Sequence, residues 1–406
     1  MRRLLSGASF RKAEQHEMMS PHGGKLVERA LGGASAERAR SEAPGLAALS
    51  LDAETAQELR NIAAGVFSPL EGPVGEADLG SIIQCGRLSD GTAFTIPILL
   101  DVDERTAEGL TEGRDVALYE AEEGDRSEGA FAGVLHLEQV YEYDKATLAR
   151  AVFGTDDPSH PGVAGTFARG DLLLAGPVDM VPRTASRYGA YDLTPAQTRE
   201  LFAERGWRTT GAFQTRNVPH VGHEDLQKTV LGLVDGLLIH PIVGRKKPGD
   251  FRDSVILKAY QVLLEHYFPR DRVVLSVLDT PMRYAGPKEA IFHAIVRKNF
   301  GCTHIIIGRD HAGVGSFYGE EAAIEIFAQF PELGIQPITI RGDFFYCRVC
   351  DRIASERTCP HNSADHIAFS GTEIRAMLRA GRQPPRQIMR PEVFRVLAEA
   401  ESPFVA

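Results

Sequence analysis

From Leu193 onward the apolar positions switch between two rhythms. Short apolar runs at 209–213, Gly236–Val243, Arg272–Leu278, His304–Gly308 and Ile335–Ile340 read as buried strands, while 224–234, 252–267, 287–299 and 319–329 repeat apolar residues at helical spacing. Five strands alternating with four helices predict a doubly wound parallel sheet, with ligands at the carboxyl ends of the strands. The stretch from about 45 to 185 has a different texture. Its short apolar runs, Ser81–Ile83, Ala93–Leu100, Asp115–Tyr119, Ala130–Leu135 and Asp171–Gly176, are separated by turn residues and predict a β-rich domain of small-barrel type. The first 45 residues are rich in Gly, Ala, Ser, Arg and Glu and have little to bury, so a mobile terminus is expected over 1–20.

Composition sharpens this picture in three ways. At 406 residues the chain is long enough for two or three domains with cores of their own. A formal charge of −10 argues against a broad electrostatic footprint for nucleic acid, so anions must be bound locally. No apolar run approaches the length of a membrane span, and Met1–Gly7 is too short for a secretory signal, which makes the cytoplasm the default location. Of the five cysteines, Cys347, Cys350 and Cys359 are crowded together, a pattern that suits a metal site in a reducing compartment better than a disulfide framework.

The chemistry concentrates at Gln214-Thr-Arg-Asn-Val-Pro-His-Val-Gly-His223, between a predicted strand and a predicted helix. The first turn of a helix offers unpaired N–H groups and a positive dipole end, and His220 and His223, three apart, share one side of it. Paired histidines at such a place can also be caps, core residues or metal ligands. Gln214, Arg216 and Asn217 change the balance, because a planar guanidinium fork and neutral donors beside two imidazoles form equipment for anionic oxygen that core packing does not require.

Further loops open on the same predicted edge. Gly308-Arg-Asp-His-Ala-Gly-Val-Gly315 follows the fourth strand, where its glycines allow close backbone approach to a ligand near Arg309, Asp310, His311 and Ala312. Pro281–Ala290 follows the third strand; Met282 and Tyr284 are placed to flank a base and Arg283 to meet phosphate, against a plain loop and helix start as the alternative. Gly244–Asp250 is either a cationic flap or a solvated turn, and Ser370–Arg375 either a helix cap or a phosphate contact. Cys347, Cys350 and Cys359 with a histidine have the ligand types of a closed tetrahedral zinc shell. His366 is expected as the fourth ligand, because the Cys359-Pro-His361 step leaves little chain to wrap an ion, with His361 the alternative.

Taken together, these motifs resemble those of the ATP sulfurylase family. The block Gln-Thr-Arg-Asn-x-x-His-x-x-His, then Met282-Arg-Tyr-Ala-Gly-Pro, Gly308-Arg-Asp-His-Ala-Gly, the cysteine cluster and Ser370-Gly-Thr-Glu-Ile-Arg occur in that family's order, with Ser20–Leu26 and Phe67–Gly72 extending the likeness upstream. The resemblance implies a PUA-like β domain over 21–188, a nucleotidylyltransferase domain over 189–342 and a zinc-bearing helical region over 343–406. It implies the conversion of ATP and sulfate to adenosine 5′-phosphosulfate and pyrophosphate, with Mg²⁺ on the nucleotide and a homo-oligomeric assembly. In that reading Gln214, Arg216 and the backbone at Ala312 hold sulfate, while His220, His223, Asn217 and Arg309 face phosphates. Thr215, Met282, Arg283, Gly308, Asp310 and His311 complete the ATP site. Two departures stand out: Val218-Pro219 shifts the usual proline by one, and Ser316 replaces an acidic residue. No Gly-x-x-x-x-Gly-Lys-Ser/Thr loop occurs, so a fused kinase activity is not expected. Two rival readings stay open: a related nucleotidylyltransferase with a phosphorylated organic acceptor, and a PUA-type RNA-binding protein.

Overall fold

The computed structural model describes residues 18–122, 125–183, 186–246, 248–339, 344–369 and 371–405, with the backbone alone at 122, 125–128 and 371–373. The mobile terminus expected over 1–20 lies outside the described residues except at its end, and so do Lys247, Ser370 and the side chains of Thr372 and Glu373.

The expected parallel sheet is present. Its five principal strands, Thr210–Thr215, Gly236–Val243, Val273–Leu275, His304–Ile307 and Gln336–Thr339, lie in the spatial order third, second, first, fourth, fifth, and the short Leu278–Asp279 pairs with the end of the second. Every rung among them is parallel. The second strand is buried at all its positions, as a strand covered on both faces must be. Alternation along the strands divides two cores. Ala212, Leu238, Ile305 and Ile307 point into one, built with the helix Pro287–Asn299 and the N-terminal domain. Phe213, Leu237, Ile239 and Ile306 point into the other, built with the helix Asp253–Tyr267 and the C-terminal Ile374, Met389 and Val393.

The N-terminal region holds two sheets, one of four strands (Ala47–Leu51, Asp115–Glu122, Asp125–His136, Val178–Met180) and one of three (Leu100–Val102, Gln139–Glu142, Leu172–Ala175). Two expectations fail here. Ser81–Ile83 belongs to a helix, Glu76–Cys85, whose buried Leu79 and Ile82 are one turn apart and which closes on Gly86 in the left-handed conformation. The run Ala93–Leu100 forms no ladder before Leu100, because Pro97 interrupts it. It plugs the inter-domain core instead: Thr95 Oγ1 donates to the Lys288 carbonyl at 2.6 Å, and Phe94 meets Phe292 edge-on at 6.0 Å. Asn299 Nδ2 donates to the Val66 and Ser68 carbonyls, each at 3.0 Å, so both ends of the helix Pro287–Asn299 are fixed by the N-terminal domain.

The C-terminal region carries a three-stranded antiparallel sheet, Phe344–Cys347 between Arg352–Ser355 and His366–Ala368, followed by the helices Gly371–Arg379 and Pro391–Glu399. Among the described residues no helix is long and apolar enough to cross a membrane.

Candidate active site

The first and fourth strands are neighbours at the centre of the sheet, and their outgoing loops part to opposite faces. This topological switch point is the crevice where open α/β sheets bind ligands. The loop 214–223 opens from one strand and the loop 308–315 from the other.

The helix after the first strand spans Val221–Leu231, three residues earlier than its apolar repeat predicts. The reason is chemical: His220 caps it, its Nδ1 accepting the His223 backbone N–H at 3.2 Å, a task usually given to Ser, Thr, Asp or Asn. With Nδ1 engaged as acceptor, the neutral ring carries its proton on Nε2 and offers a donor there. The two imidazoles stack at 3.7 Å, Phe369 stacks on His220 at 5.2 Å, and Phe213 meets His223 edge-on at 5.4 Å. Packing desolvates both rings, pushing His220 well below the usual histidine range and His223 down to about 4, so both are neutral near pH 7. Gly222 permits this arrangement, since a Cβ there would lie 3.1 Å from the His220 ring and 3.2 Å from Phe369. Upstream, the Asn217 N–H donates to Thr215 Oγ1 at 3.1 Å and tightens the turn after the strand.

The second loop is strained at the positions the motif singles out. Asp310 and Ala312 have φ of 50° and 58°, and Tyr284, in the loop after the third strand, has 60°. Non-glycine residues rarely adopt this region, and clusters of them mark sites where surrounding structure holds the backbone for a purpose. At Gly313 a Cβ would fall 1.8 Å from Asp310 Oδ1, so a side chain there would displace the Asp310 carboxylate. The Gly286 N–H donates to the Ala312 carbonyl at 3.1 Å, tying the third-strand loop to the second.

The arginines divide. Arg216 lies over the Tyr284 ring at 5.4 Å, and its Nη1 is buried without a partner. Burial raises the Asp310 carboxyl, and the positive charge of Arg216 opposes that rise, so the first loop reaches the second electrostatically. Arg309 pairs with Glu320 at 2.9 Å on the rim. Arg283 departs from expectation: its guanidinium is turned inward to Glu58 of the N-terminal region and to Thr280 Oγ1 at 3.1 Å, which joins domains rather than reaching for phosphate. Met282 packs against the core beside it. In the loop after the second strand, Lys246 pairs with Asp253 at 3.0 Å and Arg245 with Glu54 at 3.1 Å.

A residue that pattern reading passes over connects the loops. Gln214 Nε2 and His311 Nε2 lie 2.9 Å and 3.1 Å from the same atom, His293 Nδ1, on the helix Pro287–Asn299. The available signal was Glu289 and His293, four apart, with His293 interrupting the otherwise apolar stretch Ala290–Val296.

The cysteine cluster stands apart. Cys347, Cys350 and Cys359 Sγ and His361 Nδ1 all lie within 4.8 Å of one another. His361 Nδ1 is 3.5, 3.2 and 3.6 Å from the three sulfurs, and Cys350 and Cys359 Sγ are 3.8 Å apart. A tetrahedral zinc with ordinary bond lengths needs N···S of about 3.6 Å and S···S of about 3.8 Å, so the donors fit it. His361, not the expected His366, completes this set. His366 is spent otherwise: it pairs with Cys347 across the sheet, stacks on Phe345 at 3.5 Å and approaches one sulfur, Cys359, at 3.6 Å. The short Cys359-Pro-His361 step turns tightly enough to bring Nδ1 inward.

A parallel sheet with a glycine-rich loop and a neutral His-x-x-His cap meeting at its switch point, flanked by an N-terminal β domain, defines an α/β nucleotidyltransferase. Comparison with known proteins narrows the class: residues 189–400 match the ATP-sulfurylase model and residues 19–183 the PUA-like domain model. A sulfate adenylyltransferase of Hyperthermus butylicus is 49% identical over 95% of this chain and 97% of its own, and those of Thermococcus onnurineus and Halothermothrix orenii are 48% and 44% identical over 99% of their lengths. The chain belongs to the ATP-sulfurylase family. A solved structure titled hexameric APS kinase from Thiobacillus denitrificans shares the fold, with a TM-score of 0.75 and 24% identity over 95% of this chain and 69% of that one.

Proposed function

We propose that the chain is a sulfate adenylyltransferase, joining ATP and sulfate reversibly to give adenosine 5′-phosphosulfate and pyrophosphate. The observation that supports this best is the convergence of Gln214 and His311 on one imidazole, which holds the start of the loop 214–223 and the loop 308–315 close together. In this reading Gln214, Arg216 and the N–H of the strained Ala312 hold sulfate. His220 and His223, with Asn217 and Arg309, face the phosphates of ATP, and Thr215, Met282, Gly308, Asp310 and His311 line the nucleotide site. Arg283 becomes a support that ties the base-flanking loop to Glu58.

Sulfate is a weak nucleophile, so catalysis must come from placement and from stabilising developing charge. A sulfate oxygen attacks the α-phosphorus in line with the departing pyrophosphate, and no covalent protein intermediate forms. A neutral His220 donates through Nε2 as charge accumulates, which favours the transition state over the substrate without taking a proton. Mg²⁺ carried in with ATP would offset charge on pyrophosphate. Cys347, Cys350, Cys359 and His361 would hold a structural Zn²⁺, a filled shell with no position for substrate. Cysteines without disulfides suit the cytoplasm, and a homo-oligomer is expected.

The decisive experiment follows pyrophosphate release from ATP by the purified chain with and without sulfate, and ATP formation from adenosine phosphosulfate and pyrophosphate in reverse. Release that ignores sulfate but responds to a phosphorylated organic acceptor would replace this reading with the related nucleotidylyltransferase.

A further inference from the structure

We propose that His293 is a positioning residue for the sulfate subsite, setting the amide orientation of Gln214 and the tautomer of His311 through one shared nitrogen. The inference rests on the function proposed above. Its basis is a chain of buried contacts that starts from the Glu289 carboxylate.

Glu289 and His293 lie one turn apart on the helix Pro287–Asn299, and both are fully buried. The Glu289 carboxylate accepts the backbone N–H groups of Arg283 and Ala285, each at 2.9 Å, and so anchors the strained loop that carries Tyr284. Burial would raise this carboxyl, but the His293 contact and these N–H groups outweigh burial and hold it below its usual range. Glu289 is therefore an anion that only accepts hydrogen bonds. His293 Nε2 faces it at 3.4 Å without hydrogen-bond geometry, and the carboxylate's charge favours the imidazole proton on that nitrogen. The other nitrogen, Nδ1, is left as a bare acceptor.

That assignment propagates to the pocket. Gln214 must turn its NH₂, not its carbonyl, toward Nδ1, and it keeps its second N–H free. His311 must carry its proton on Nε2, because two acceptors cannot face each other at 3.1 Å. Desolvation holds His293 at about 4 and His311 at about 3, which keeps both rings neutral and the pattern intact near neutral pH. With the opposite tautomer at His293, Gln214 would flip its carbonyl onto Nδ1, and the second N–H it now holds at that position would be lost. One buried helix thus selects for donors at the floor of the anion site, and it anchors a residue from each of the three loops.

The test separates the two nitrogens. In a side chain at this position, Asn sets its amide oxygen near Nδ1, and Gln sets its amide group near Nε2. Sulfate and ATP dependence of pyrophosphate release are measured for wild type, His293→Asn and His293→Gln. The Asn variant, which keeps the acceptor, should hold its sulfate KM within about threefold; the Gln variant should raise it about tenfold, the loss expected for one hydrogen bond. ATP KM should rise less than sulfate KM in the Gln variant, since of the two residues held by His293 only His311 lines the nucleotide site. Equal effects of the two variants on sulfate KM, or an unchanged sulfate KM in the Gln variant, would overturn the proposal. Imidazole ¹⁵N spectra of the wild-type chain provide a readout independent of turnover: both His293 and His311 should appear neutral and protonated at Nε2, and an Nδ1-protonated His293 would refute the relay. Should wild type show no sulfate dependence, the functional reading falls, while the spectra still decide the relay.

Discussion

Removing the Arg390 guanidinium should destabilise the protein by an amount that depends on Glu224. Glu224 sits in the first turn of the helix that carries His223, and it is 2% exposed. Arg390 grips it through Nε at 2.8 Å and Nη2 at 2.9 Å, Lys228 adds a contact at 2.6 Å, and the Arg390 guanidinium lies 4.3 Å from the Tyr267 ring centre. Beside this pair the Val221 N–H donates to the Ile388 carbonyl at 2.8 Å, so the C-terminal segment is fastened to the helix start that caps on His220. Breaking a buried pair typically costs about 3–5 kcal/mol. Arg390 is 30% exposed, and Lys228 still faces the carboxylate, so Arg390→Ala should cost about 2–3 kcal/mol. Urea unfolding of Arg390→Ala, Glu224→Ala and the double variant measures the coupling directly. With Glu224 absent, Arg390→Ala should cost less than about 1 kcal/mol, because no buried charge is left unpaired. Burial pushes the Glu224 carboxyl up, but the bonds from Arg390 and Lys228 outweigh it and depress its pKa below 4.5. The coupling is therefore complete above the ordinary carboxyl range and is lost as pH falls through the depressed value. An equal cost for Arg390→Ala in both backgrounds would show that the pair contributes packing rather than charge.

Other consequences are open to measurement. Arg216→Ala should raise the KM for sulfate more than that for ATP, and the opposite ranking would move Arg216 from the sulfate to the nucleotide. Bound zinc, measured by mass spectrometry of the purified protein, should be lost in His361→Ala and retained in His366→Ala; the reverse would return the fourth ligand to His366. His223 and His293 titrate near 4 and His311 near 3 when folded, against 6.5 for the free side chain. The unfolded chain therefore binds more protons between those values, so Tm should be highest above pH 6.5 and drop steadily toward pH 4, and a flat Tm over that window would contradict neutral burial. Gly313→Ala should lower turnover with a modest change in Tm, since its Cβ displaces the Asp310 carboxylate within the loop; normal kcat would mean that the placement of Asp310 does not matter to the reaction.

The sequence by itself determined the class of the protein. Alternating strand and helix periods, two oxygen-binding loops after the first and fourth strands, and three crowded thiols are all local patterns, and local patterns survive in one dimension because hydrophobic period and turn chemistry act within a few residues. What needed tertiary structure depends on where distant segments meet. The Ala93–Leu100 run looks like a strand by composition, yet beyond a single bridge from Ala93 to Arg87 it is buried as an inter-domain plug against Phe292, because burial without a ladder has the same apolar signature as burial within one. The helix after Gln214 starts at Val221 because an imidazole caps it, a role that depends on the fold orienting His220 Nδ1. Chain length argued for His366, whereas His361 sits among the sulfurs, since tight turning of Cys359-Pro-His361 is a matter of backbone direction. Arg283 was read toward phosphate from its loop, but Glu58, more than two hundred residues away in sequence, holds it. His293 was hidden for the same reason: a histidine in a buried helix acquires meaning only when the sheet brings Gln214 and His311 to either side of one of its nitrogens.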